Sequence, residues 1–149
     1  MNWYLAAFNV AKAKYPVDDP RMSEFMDNLE AINGLGDASP GFVWRHQTES
    51  GDSTSERIFD DPDILLNYTI WESVEALRNY TYKTEHTSFL RRRREWFVPL
   101  DGWPVLVLWW VPADTTPSLE EAKATLAHLR DHGPTPSAFT FREPYPRPD

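Results

Sequence analysis

The run Val105-Leu106-Val107-Leu108-Trp109-Trp110-Val111 constrains the fold of this chain more than any other stretch. Successive side chains of a strand point to opposite faces, so Val105, Val107, Trp109 and Val111 lie on one face and Leu106, Leu108 and Trp110 on the other. Both faces are apolar, which predicts a central strand covered on both sides. A single layer of helices covers only one face of a sheet. The other face then calls for a second sheet, and an identical subunit is the most economical source, so the pattern predicts a homodimer.

A chain of 149 residues is the size of one domain and can bury a substantial core without disulfides. It has no cysteine, which excludes thiol catalysis and thiolate metal sites and gives no reason to expect an oxidising compartment. The N-terminus, Met1-Asn2-Trp3-Tyr4-Leu5, lacks a basic stretch ahead of a long apolar one, and the Val105 run is too short to span a bilayer. The expectation is a cytoplasmic protein with no membrane partner. A net charge of −8 disfavours a nucleic-acid surface, which needs a basic field across the whole contact face. Seven tryptophans among 14% aromatics suit pockets and interfaces as well as a core.

Trp3 to Val10 reads as a strand, followed by a connection through Asp18. Asp19-Pro20 supplies a helix cap and a first-turn proline, and Met22, Phe25, Met26, Leu29 and Ile32 repeat at three and four, predicting a helix that stops at Asn33-Gly34. Phe42 to Gln47 is a second strand, Thr48 to Asp63 a polar loop, and Ile64 to Ile70 a third strand. Ser73 caps a short helix with Val74 and Leu77 inward, and another helix starts near Thr84 and runs to Trp96 or Phe97. After the Val105 strand, Thr116-Pro117 reads as a second cap pair, and Leu119, Ala122, Leu126 and Leu129 mark a helix ending at His132-Gly133-Pro134. Ala138 to Arg142 is a last strand. Residues 1–143 thus form one domain and residues 144–149 a Pro-rich tail. The order contains a ferredoxin-like βαββαβ core with an extra helix and an extra C-terminal strand: an α+β fold on an antiparallel sheet.

Asn67, Thr69 and Trp71 share one face of the third strand, like a cavity wall; Arg45 points away from Trp44 and His46, and Thr140 and Arg142 oppose Phe139 and Phe141. Polar groups on a covered face must bond to one another or line a wet cavity. On the helix that carries His86, the spacing aligns Tyr82, His86, Arg93 and Phe97 in one stripe. An imidazole that titrates near pH ~6.5 suits a general base, a general acid or a haem ligand. The plainer alternative is a half-buried histidine bonded to Glu72 or a backbone carbonyl. Arg91 to Arg94 cannot all face one way, so Arg93 with a neighbour such as Arg94 is the candidate for an anionic ligand group, and the others are solvated or paired.

His128 and His132 have the spacing of helical metal ligands but lack the adjoining glutamate, and their place near a helix C-terminus explains them equally well. Asp60-Asp61-Pro62-Asp63 lacks the spacing of a calcium loop, and Asn67-Tyr68-Thr69 lies in a strand, where a glycosylation acceptor is not expected. No metal site is predicted. Glycine-rich phosphate loops and a serine-hydrolase elbow are also missing from the sequence.

Phe42-Val43-Trp44-Arg45, Trp71-Glu72-Ser73-Val74-Glu75-Ala76-Leu77, His86, Arg94-Glu95-Trp96-Phe97, Leu108-Trp109-Trp110-Val111-Pro112 and Gly133-Pro134-Thr135 with Ala138-Phe139-Thr140-Phe141 together resemble a bacterial family of unknown function, domain of unknown function 3291. That resemblance implies the dimeric α+β barrel superfamily, which includes antibiotic-biosynthesis monooxygenases, haem-degrading enzymes, muconolactone isomerases and polyketide cyclases. It places His86 where haem-degrading members carry their proximal histidine and Asn9 where they carry an asparagine. Their tryptophan ahead of the histidine is matched only by Tyr80, at a shorter spacing, which argues against haem degradation and leaves a haem-free pocket. The resemblance therefore implies a small-molecule-binding enzyme of the monooxygenase, isomerase or cyclase type, acting on an aromatic or polyketide-like substrate. Catalysis would fall to His86, Arg93 and Tyr82, and binding to Trp71, Asn67, Arg45, Arg94, Tyr80, Asn9 and Arg142. No cofactor is expected, cofactor-independent relatives being the nearest analogy. The alternatives are a haem protein with His86 as axial ligand and a non-enzymatic ligand-binding or scaffold dimer.

Overall fold

A computed structural model describes residues 2–16, 18–46, 64–83, 95–98 and 105–148, without the side chains of 29–33, 35, 82 and 83. Strands β1 (Trp3–Lys12), β2 (Phe42–Arg45), β3 (Ile64–Trp71) and β4 (Leu106–Pro112) form one sheet in the order β2-β3-β1-β4, with every pairing antiparallel. Helices α1 (Ser23–Asp37), α2 (Val74–Lys83) and α3 (Leu119–His132) complete the described α+β fold. None of these helices is long and apolar enough to cross a membrane.

β1 is central, and its middle residues Leu5, Ala6, Ala7 and Phe8 are all buried. β4, expected in the centre, is instead the last of the four strands. Its two apolar faces are explained by separate coverings. Val107, Trp109 and Val111, with Ala6, Phe8, Val10, Leu66, Tyr68 and Ile70, meet Ala122, Leu126 and Leu129 of α3. Leu108, with Leu5, Ala7 and Trp71, meets Val74, Leu77 and Tyr80 of α2 and Phe139 of the C-terminal segment. The second face, which the sequence pattern assigned to a second subunit, is thus covered by the chain's own α3.

Several boundaries differ from expectation for local reasons. β1 runs two residues past Val10, and Ala13 then bridges to Phe97, so Phe97 extends a sheet edge rather than ending a helix; Trp96 is buried there beside Met22, Phe25 and Met26. Asp19 caps a single 3-10 turn, Pro20–Met22, by accepting from the Arg21 amide, and α1 follows it. α1 does not stop at Asn33-Gly34: it continues to Asp37. Ser118, not Thr116, caps α3 by accepting from the Glu121 amide at 3.1 Å, and Gly133 ends it with φ 75°, in the region glycine favours. The last strand shrinks to two isolated bridges, Ala138 with Thr135 and Phe139 with Leu108, the latter exchanging both backbone hydrogen bonds at 2.8 Å. The Pro-rich end is docked rather than free: Trp110 Nε1 donates to the Tyr145 carbonyl at 3.0 Å and Arg147 to the Glu72 carbonyl at 2.7 Å.

Tyr68 joins the α3 face to the chain that enters α3. Its ring stacks on Trp109 and meets Phe8 and Trp44 edge-on, and its hydroxyl donates to the Pro117 carbonyl at 2.8 Å. Burial pushes the phenol pKa well above its usual value, with the Glu121 carboxylate adding to the shift. The neutral phenol is the folded form, so this stabilisation is complete below the unfolded tyrosine pKa of about 10 and is lost as pH rises above it. Above about pH 10 wild type should therefore lose stability more steeply than Tyr68→Phe, which itself should cost about 1 kcal/mol at pH 7. Leu126→Ala should cost about 2–5 kcal/mol by opening a cavity under α3. Urea unfolding across pH checks both expectations.

Candidate functional site

The face of the sheet beneath α1 and α2 changes character along its length. Its first row, Phe42, Trp71, Leu5 and Trp110, is apolar and aromatic, and the next continues with Thr69, Ala7 and Leu108. One step further, Asn67 on β3 stands directly opposite Asn9 on β1, with Leu106 beyond. Asn67 is exposed and Asn9 half-buried, so two amides sit side by side where a face otherwise buried at Leu5, Ala7, Thr69, Trp71 and Leu108 meets solvent.

Arg45 reaches this face through an irregularity in β2. Phe42 pairs with Trp71 and Arg45 with Thr69, although two residues between them face one on β3, so the register shifts at Val43. Strict alternation would put Phe42 and Arg45 on opposite faces; the bulge puts both on the same one. Trp44 goes to the α3 side. Arg45 is then buried, with 3% of its side chain exposed, and a cation there needs partners. Nε donates to Asp37 Oδ1 at 3.0 Å and Nη1 donates to Asn67 Oδ1 at 2.9 Å. Tyr80 also adjoins it: burial raises the Tyr80 hydroxyl pKa, Arg45 opposes that rise and Asp37 adds to it. Asp37 stands on the last turn of α1, which exists only because the helix runs on through Gly34 and Gly36. A Cβ at Gly36 would lie 2.6 Å from Arg45 Nη2 and 3.3 Å from Tyr80 Cζ, so glycine there makes room for the pair.

The structure brings Arg45, Asn67, Asn9 and Tyr80 together and buries three of the predicted ligand contacts, Trp71, Arg45 and Tyr80. Trp71 is fully buried, stacked on Tyr80 at 5.3 Å between centroids, and its indole N–H donates to Thr69 Oγ1 at 2.9 Å. Its surface is consumed by packing, so it supports the site without lining it. Arg45 and Tyr80 are likewise buried behind the amides. Arg142 is exposed on the C-terminal segment and makes no side-chain hydrogen bond or ion pair among the described residues. His86, Arg93 and Arg94, and the Tyr82 side chain, lie outside the described residues. Ser73 does cap α2, accepting from the Ala76 amide at 3.1 Å. Asp37 and Gly36 carried no sequence signal, because Asn33-Gly34 reads as a helix stop. His128 and His132 are exposed with rings 4.6 Å apart, and among the described residues no group of three metal-ligating side chains converges.

The sequence profile of a family described as Domain of unknown function (DUF3291) matches residues 4–149. No curated protein matches the sequence. Among solved structures, NE2512, a protein of unknown function from Nitrosomonas europaea, aligns with a TM-score of 0.52 at 12% identity, over 78% of this chain and 96% of that one. Another Nitrosomonas europaea protein, proposed to be an antibiotic biosynthesis monooxygenase, aligns with a TM-score of 0.51 at 15% identity, over 77% and 95%. At such identities the likeness is one of fold.

The two helical glycines provide a matched test of the Arg45 pocket. Nothing lies within 4 Å of a Cβ built on Gly34, so Gly34→Ala should stabilise by up to about 1 kcal/mol from helix propensity. Gly36→Ala carries the same propensity gain but should lower the melting temperature, because the new methyl displaces Arg45 from Asp37 and Asn67. Thermal unfolding of the two variants side by side checks the contrast.

Proposed function

We propose that this chain, which belongs to the DUF3291 family, is a small-molecule-binding enzyme acting on a planar, oxygenated aromatic or polyketide-like substrate. The observation that carries the reading is the pair of amides, Asn67 exposed and Asn9 half-buried, directly opposite each other across β3 and β1. Two adjacent amides suit a ligand whose edge carries neighbouring oxygens. An amide donor aimed at a substrate carbonyl or phenol oxygen stabilises negative charge as it develops there. The chemistry that follows is proton removal. A C–H or O–H bond of the substrate breaks, the proton passes to a base, and the electron pair spreads onto the oxygen that Asn67 holds.

That step is common to isomerase, cyclase and cofactor-independent oxygenase reactions, and the fold is shared with a Nitrosomonas europaea protein proposed to be an antibiotic biosynthesis monooxygenase. His86 is the base in this proposal, with Tyr82 and Arg93 assisting and Arg94 adding positive charge at the ligand's edge. The reading requires no cofactor. A homodimer, as the sequence pattern predicts, is part of the proposal, and Tyr4, Trp44, Ile64 and Val105 remain only partly buried on the α3 face.

Titration with 1,8-dihydroxyanthraquinone, followed by quenching of tryptophan fluorescence, tests the reading. Wild type should show saturable binding, and Asn67→Ala and Asn9→Ala should each weaken it by about tenfold, the effect of losing a hydrogen bond of about 1.4 kcal/mol. Binding that is equally strong in both variants, or no saturable binding by wild type, overturns it.

A further inference from the structure

Arginine carries hydrogen-bond donors and no acceptor. Arg45 Nη1 lies 2.9 Å from Asn67 Oδ1, so that oxygen must be the acceptor and the Asn67 amide has one allowed orientation. Its carbonyl is turned to the protein, and its NH2 group is turned the other way. Asn67 is exposed and makes no other side-chain hydrogen bond among the described residues, so those N–H donors are available to a ligand. An asparagine at a strand surface would otherwise rotate between two nearly equivalent amide orientations. A charge-assisted bond biases that choice by about tenfold or more.

Arg45 itself cannot drift. Asp37 Oδ1 holds Nε at 3.0 Å, and Tyr80 and the backbone at Gly36 confine the other end of the guanidinium. With 3% of its side chain exposed, Arg45 does not meet a ligand on the open side. We propose that Arg45, clamped by Asp37, is a positioning residue that fixes Asn67 as a hydrogen-bond donor, and that the site therefore selects ligands presenting an acceptor oxygen, a carbonyl or phenolate, at this point. Asn9, opposite, has no side-chain hydrogen bond among the described residues and keeps both amide orientations, so it accommodates a neighbouring hydroxyl or a second carbonyl. The ligand class that satisfies both is a keto oxygen flanked by a hydroxyl group on a fused ring. The selectivity part of this inference rests on the function proposed above; the fixed amide does not.

Two readouts separate those parts. In 15N-labelled protein the Asn67 side-chain amide signals are identified by their loss in Asn67→Ala. Arg45→Met, verified as folded from its backbone amide spectrum, should shift and partly average those signals. If Arg45→Met does not fold, Arg45→Lys and Asp37→Ala undergo the same measurement. Asn67 amide signals left unchanged by the folded variants overturn the positioning role, whatever the protein binds. With 1,8-dihydroxyanthraquinone as probe, Arg45→Met should weaken binding about tenfold in the wild-type background and have no further effect in Asn67→Ala. Additive losses overturn the role, since they show Arg45 acting other than through Asn67. A shifted amide together with no binding by wild type sustains the positioning role and removes the proposed function.

Discussion

Both faces of a four-stranded sheet are apolar in this protein, and each must be shielded from water for the sheet to form. The chain solves this asymmetrically. α3 lies against one face with a stripe of Ala122, Leu126 and Leu129, each nearly inaccessible to solvent. Among the described residues, α2 and the segment around Phe139 cover the other face at its Trp71 end. On the second face side chains meet solvent at its polar end, where Asn67 is exposed and Asn9 half-buried.

On that second face the exceptions to hydrophobic patterning are concentrated. Asn9, Asn67 and Thr69 stand on this face by strand alternation and Arg45 by the bulge, and all but the Asn9 amide are tied into hydrogen bonds. Such local conflicts between pattern and fold are where functional constraints accumulate. Here they are organised from within: Asp37 neutralises Arg45, Arg45 binds Asn67, and Thr69 takes the indole N–H of Trp71. The ion pair is buried on the arginine side and open on the aspartate side, which lowers the cost of burying a full charge.

The superfamily resemblance and the covered sheet face bear on each other. Sheet-to-sheet pairing of subunits is one means of shielding the face that holds Tyr68 and Trp109, and an intramolecular helix is another. With α3 in place, Tyr68 bonds to Pro117 at the entry to that helix, so the covering helix is fastened to the sheet it covers.

By itself the sequence determined the strands and helices where periodicity was strong, and with them the ferredoxin-like order. It also marked Asn67 and Arg45 by strand alternation, and Asn9 and Tyr80 through the family resemblance. Boundaries set by long-range contacts were not legible. Asn33-Gly34 looks like a helix stop, yet α1 continues because its last turn carries Asp37 to a cation on β2 and because Gly36 admits that cation's guanidinium. The bulge at Val43 turns Arg45 toward Asn67, and a one-residue change of register leaves no trace in composition or spacing. Nor could the pattern of β4 tell a partner's sheet from the chain's own helix, since an apolar face records only that it must be covered. Tertiary structure made these choices, because each depends on contacts between residues far apart in the chain.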